Sequence, residues 1–209
     1  MEIKKKVGGP VDANCYIVKF NQKAIIIDPC VSIDLIKKAI GEDELLFIVI
    51  THGHFDHIYC LKEVMDYYSV PLYLTKNGIF MLADASKNCS SLMGMNIEMS
   101  FDKERLHIVN DYEKVSIDDH LITFIYTPGH TSDSICIRID NDFYSGDTVF
   151  RDGVGRCDLY SGNEAVLRNT IKNLKTYFKN NPGLIIHPGH EDDADINYIL
   201  KNNYYFSER

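Results

Sequence analysis

The stretch LLFIVI followed by THGHFDH, residues 45–57, decides how this chain is read. Its last seven residues hold three histidines, His52, His54 and His57, and one carboxylate, Asp56. Neutral imidazoles and a carboxylate are borderline ligands suited to zinc, iron or manganese. The apolar run before them is short and β-branched, with charge on one side and Gly53 on the other, and it predicts a buried strand. The ligand-rich loop then lies where the chain leaves a strand end, a usual place for a site in a protein of strands and helices. A lone histidine would fit a solvated polar turn equally well. Four ligand-type side chains at this density argue for a metal.

The chain has 209 residues, 45% of them hydrophobic and 25% charged, an ordinary balance for a soluble globular protein. That length suits one sizeable domain, and a single domain spanning 1–209 is expected. No apolar stretch approaches the ~20 residues needed to cross a bilayer, and MEIKKKVGGP has a positive cluster with no apolar core behind it. A cytoplasmic protein without a membrane partner is the expectation. The net charge of −8 is spread along the chain and argues against a nucleic-acid partner, which would need a basic surface. Six cysteines are scattered with no CxxC pair, so reduced thiols are expected. Cys15, Cys60 and Cys136 sit in or beside apolar runs, as small hydrophobes do.

Strand and helix signals alternate. VDANCYIVKF and KAIIID read as paired strands, and SIDLIKKAI as a helix from Ser32 to Gly41. Beyond the histidine loop, Ile58, Leu61, Val64, Met65 and Tyr68 fall at helical spacing, so Asp56 and His57 are expected to open that helix. VPLYLT reads as a strand. Residues 77–107 are irregular and carry four methionines, fitting either a flexible wall over a pocket or plain packing. LITFIY, SICIRI and DFYSGD return to strands. SGNEAVLRNTIKNLKTYF is a helix with Ser161 and Glu164 at capping-box spacing and Val166, Thr170, Ile171, Leu174 and Phe178 facing inward. LIIH is a last buried strand, and DADINYILKNNYYF a closing helix. Two packed sheets with helices outside are expected.

Three further loops follow predicted strands and carry ligand-type residues. TPGHT supplies His130, SGDT supplies Asp147, and HPGHED supplies His187 and His190. Each is hemmed in by Gly or Pro, which fixes a sharp turn and lets backbone approach a site. Each is weak alone; together they point to a shared site. Asp28 is either a residue that accepts from a ligand imidazole or simply a turn former before Pro29. His187 reads as a strand-end residue, and His107 and His120 as structural.

On these segments the chain resembles the metallo-β-lactamase-fold superfamily, and within it the glyoxalase II-like (hydroxyacylglutathione hydrolase-like) branch in a short form without the C-terminal helical domain. IIIDPC, THGHFDH, TPGHTSDS, SGDTVFRDGVGRCDLYSGN and HPGH carry the likeness, in order, over nearly the whole chain. The resemblance implies an α+β fold, a four-layer αββα sandwich. It also implies two divalent ions, zinc first, with iron or manganese as alternatives. His52, His54 and His130 would hold one ion, Asp56, His57 and His190 the other, with Asp147 bridging and Asp28 behind a ligand. Such a pair lowers the pKa of a bridging water towards neutrality. The resulting hydroxide would attack the carbonyl of a small-molecule substrate, a thioester, with Asp56 as the catalytic residue that orients it. A thiolate leaves without a strong acid.

Cys30 stands where that pattern has Gly, and EDDADINYI follows HPGH in place of the usual continuation. Glutathione recognition does not carry over, because the missing helices supply much of its pocket. Arg156 and Asp158 are expected to pack beneath the site. Lactamase activity is disfavoured by Asp147, where the lactam-hydrolysing branch commonly has Cys. A mononuclear-iron persulfide dioxygenase is the alternative function, ahead of a nuclease of the same fold and a metal-binding module without catalysis.

Overall fold

The computed structural model describes residues 1–207. The chain forms two compact units, Met1–Val109 and a second that begins at Asn110. Each is built around one mixed six-stranded sheet with its own helices, the α+β class expected from the sequence. No helix among the described residues is long and apolar enough to cross a membrane.

In the first unit the strands follow chain order: β1 (Glu2–Gly8), β2 (Ala13–Phe20), β3 (Lys23–Ile27), β4 (Glu44–Val49), β5 (Leu72–Leu74) and β6 (Leu106–Ile108). β1, β2 and β3 are antiparallel neighbours, and β3 through β6 run parallel. The parallel run needs three crossovers, and α1 (Ile33–Ile40) and α2 (Leu61–Tyr67) supply the first two. Ile36, Ala39 and Ile40 of α1 and Leu61, Val64 and Met65 of α2 bury one apolar stripe against Ile17, Ile26 and Ile48 of the sheet. β3 and β4 are buried along nearly their whole length, which explains their continuous apolar sequence.

The second unit repeats the plan. β7 (Lys114–Ile117), β8 (His120–Tyr126), β9 (Ile135–Ile139) and β10 (Asp142–Gly146) are antiparallel in sequence order. α4 (Glu164–Lys179) crosses over to β11 (Ile185–Pro188), parallel to β10, and β12 (Ala194–Asp195) turns back before α5 (Ile196–Asn202). Leu167, Ile171, Leu174 and Phe178 of α4 pack with Phe143, Ile186 and Ile199. The Phe178 ring meets Phe143 edge-on at 5.3 Å, and burying such a ring is worth about 2–3 kcal/mol.

Four sequence expectations need correction. Asp56 and His57 lie in tight turns, and α2 starts only at Leu61. His57 N–H bonds to His54 O and Leu61 N–H to Ile58 O, three-residue steps that prevent a regular first turn. The cap of α4 is Asn163, whose side chain accepts from Val166 N–H; Ser161 has a left-handed φ of 62° and instead accepts from Ser132 N–H. Val166 faces outward and Leu167 takes the buried position. The segment read as irregular, 77–107, begins within α3 (Lys76–Leu82), which the Thr75 side chain caps, and Met81 and Met99 are packed inside.

Candidate metal centre

The first unit gathers its ligand-type residues at the carboxyl ends of two parallel neighbours. Ile27 of β3 pairs with Val49 of β4, so the residues after each strand emerge side by side. Asp28 leaves β3 with a φ of 53°, a left-handed conformation that Asp tolerates better than most residues, and its N–H bonds to Val49 O at 3.0 Å. Its carboxylate then accepts three hydrogen bonds. Thr51 N–H reaches Oδ1 at 2.7 Å, the Thr51 hydroxyl reaches Oδ2 at 2.6 Å, and His57 Nδ1 reaches Oδ2 at 2.9 Å. Asp28 is thus both a turn former and the acceptor behind an imidazole.

These partners assign the ring protons. A carboxylate can only accept, so His57 carries its proton on Nδ1 and presents the Nε2 lone pair towards Asp56 Oδ2, 3.6 Å away. The Thr51 hydroxyl already donates to Asp28, so it accepts from His52 Nδ1 at 3.1 Å, and His52 too presents Nε2. That Nε2 lies 3.1 Å from His54 Nδ1. Ligand atoms around one ion at 2.0–2.1 Å stand about 3.0–3.6 Å apart, so both spacings suit shared coordination. His52, His54, Asp56 and His57 are all buried. A buried carboxylate among neutral imidazoles is costly without a cation, and the donor set fits one.

Two supports of this loop carry no signal in the motif itself. Thr51 relays Asp28 to His52. Asn88, fully buried in the Met-rich segment, accepts Phe55 N–H on its backbone carbonyl and is fixed by its own side chain to Met81 O and Ile97 O. The segment is therefore a built brace for the histidine loop.

The second unit joins three loops. The hydroxyls of Thr127 and Thr148 meet at 3.1 Å, and Gly189 N–H bonds to Gly146 O at 2.8 Å. The result brings His130, Asp147 and His190 together: both His130 Nε2 and His190 Nε2 stand 3.7 Å from one oxygen, Asp147 Oδ2. That is too long for a hydrogen bond and close to ligand spacing. His130 Nδ1 donates to Arg156 O at 2.6 Å, which again leaves Nε2 for a cation. The Arg156 side chain is exposed and paired with Asp158, so both residues depart from the expected packing role and the backbone carbonyl does the holding.

Gly155 lies flat against this site. A Cβ there would collide with the Asp147 carbonyl and come within 2.8 Å of His130 Nδ1. Gly155→Ala is expected to displace His130 and lower metal affinity about 10–100-fold, the size seen when a ligand's support is lost, as read by zinc titration of the folded variant.

The other candidates fall elsewhere. His107 stacks on Tyr73 at 4.2 Å, and His120 pairs with Asp140 at the surface. Burial pushes the Cys136 thiol up to about 12 and Cys60 up to about 11, so both stay protonated and inert. Cys157 lines a cavity of about 430 Å³ with Val154, Arg156, Leu167, Ile171 and Tyr204. That volume lies within the range of small-ligand pockets.

Comparison with known proteins gives the class these features define. The sequence pattern of the Metallo-beta-lactamase superfamily matches residues 8–190, and the chain belongs to that superfamily. The probable metallo-hydrolase YqgX of Bacillus subtilis (strain 168) is 35% identical over 175 residues, 82% of each chain. The probable polyketide biosynthesis zinc-dependent hydrolase PksB of the same organism is 24% identical, over 91% of this chain and 78% of PksB. The crystal structure of the BLEG-1 B3 metallo-beta-lactamase superposes with a TM-score of 0.90 at 26% identity, covering 99% of this chain and all of that one. The fold is the α+β sandwich of the superfamily, and the chain is a metallo-hydrolase by family.

Proposed function

We propose that the chain is a binuclear metal-dependent hydrolase of small thioesters, with the two ligand sets acting as one centre in a single functional domain. In this reading His52, His54 and His130 hold one ion, Asp56, His57 and His190 hold the other, and Asp147 serves both. The observation that carries it is Asp147 Oδ2, 3.7 Å from the Nε2 atoms of two histidines assigned to different ions. The superfamily pattern runs unbroken across both sets, and PksB is named as zinc-dependent, which supports zinc ahead of iron or manganese.

Two such ions, when bound, supply a water of lowered pKa and polarise a carbonyl. The residues of the chain do the positioning. Asp28, Thr51 and the Arg156 carbonyl keep protons on the outward ring nitrogens, so the inward ones stay available. Asp56, besides serving as a ligand, would orient the attacking hydroxide through its free carboxylate oxygen. Thioester rather than ester chemistry rests on the likeness of residues 145–163 to the glyoxalase II-like branch, and on a thiolate leaving without a dedicated acid. A cytoplasmic protein without a nucleic-acid partner agrees with the net charge of −8.

A second reading, β-lactam hydrolysis, is favoured by the likeness to BLEG-1. Chelator-stripped protein reloaded with zinc and given S-acyl thioesters, β-lactams and phosphodiesters separates the two. Thioester turnover that disappears on stripping and returns with zinc supports the proposal. Lactam turnover alone selects the second reading, and phosphodiester cleavage alone sinks both.

A further inference from the structure

His187 belongs to no ligand set, yet it is buried and held between two carboxylates. Its Nε2 meets Asp142 Oδ1 at 2.7 Å, and its Nδ1 stands 2.9 Å from Asp193 Oδ2 in an ion-pair contact. Tyr144, its partner in the β10–β11 register, stacks on the ring at 4.9 Å and 23°. Burial pulls the imidazole down, but the two aspartates outweigh it and hold it above its ordinary value. A charged imidazole flanked by two acids is the consistent state.

The position of this cluster gives it a task. β11 and β12 pair antiparallel with Ile185 opposite Asp195 and Ile186 opposite Ala194, so His187 and Asp193 continue the same ladder by one step. Between them lie Pro188, Gly189, His190, Glu191 and Asp192, with His190 at the middle. The ion pair therefore closes the base of a five-residue loop whose tip is His190. Asp142, at the start of β10, ties that base back to the strand that delivers Asp147.

We propose that His187, clamped by Asp142 and Asp193, is a positioning residue that fixes the His190 loop for metal binding. The claim rests on the two-ion reading only for the role of His190 as a ligand. Without the clamp the loop keeps Gly189 N–H on Gly146 O but loses its closure on the far side, and His190 samples several orientations. The cost of ordering the ring then falls on metal binding.

The test uses the full chain with Asp193→Asn and His187→Gln, after thermal melts confirm that both fold. The Asp193 side chain is 36% exposed and Asn is nearly isosteric, so that variant is the one least prone to unfold. Histidine-ring NMR on metal-free protein is expected to show one set of His190 signals in the unmodified chain. Broadened or multiple sets should appear in both variants, while His130 stays sharp. Zinc titration should show the second equivalent weakened about 10–100-fold and the first unchanged. Unchanged His190 signals in folded variants overturn the clamp, and so does equal weakening of both equivalents. If the unmodified chain takes up one zinc only, the two-ion reading fails, and the His190 signals still decide the clamp.

Discussion

Replacing Asp147 with Ala is expected to lower kcat/KM for a thioester by about 10³-fold or more, and to leave the purified protein with less than two metal equivalents. The magnitude follows from the several kcal/mol that a metal pair contributes to transition-state charge, at 1.36 kcal/mol per tenfold. Asp147 Oδ2 stands at 3.7 Å from both His130 Nε2 and His190 Nε2, so removing it withdraws a carboxylate that both histidines share. Asp147→Asn keeps the shape and removes the charge, and it should lose nearly as much. Melting temperature separates this loss from misfolding, because relieving a carboxylate of its cation demand should not destabilise the metal-free fold. Wild-type rates and two metals in Asp147→Ala would show that the residue is no ligand.

The second large effect is expected at Asp28, which touches no substrate. Its carboxylate accepts from Thr51 N–H, the Thr51 hydroxyl and His57 Nδ1. Asn at this position tolerates the φ of 53°, so Asp28→Asn isolates the loss of charge from backbone strain. An amide that turns its NH₂ towards His57 Nδ1 forces the ring proton to Nε2, the atom the metal needs. Metal affinity should fall about 10–100-fold. Stability should fall as well, since each buried donor left without an acceptor costs about 1–3 kcal/mol. Asp28→Ala should be worse by roughly 1–2 kcal/mol, because a Cβ without a polar side chain disfavours the left-handed region. Unchanged zinc binding in Asp28→Asn would make the residue a turn former and nothing more.

The proposed ligand residues stood out in the sequence because each lies in a loop hemmed by Gly or Pro just after an apolar strand. The two units then explain why such loops recur. In each, a hairpin ends in an aspartate (Asp28 after β3, Asp147 after β10), a helix crosses over, and the next strand, β4 or β11, delivers a histidine loop. The sequential order of strands in each sheet lay beyond sequence reading, since pairing depends on contacts that periodicity does not encode. The braces were equally hidden. Thr51 looks like any residue flanking a motif, and Asn88 acts through a backbone carbonyl more than thirty positions from Phe55. The helix α3 did leave a trace, Thr75 three residues before Gly78, but methionines and polar residues around it blurred the apolar stripe. Asn163 displaced Ser161 as the α4 cap because the tight 159–162 turn, closed by Gly162 N–H on Leu159 O, holds Ser161 at a left-handed φ of 62°, away from the extended conformation an N-cap takes.

The proposed chemistry needs two metal ions on one constellation of His52, His54, Asp56, His57, His130, Asp147 and His190. Metal content of the purified full chain, measured together with oxygen consumption during turnover, tests it most directly. Close to two equivalents of zinc, or of a divalent metal replacing it, are expected, with turnover that consumes no oxygen. About one iron per chain with oxygen-dependent turnover would contradict it and favour the mononuclear dioxygenase chemistry instead.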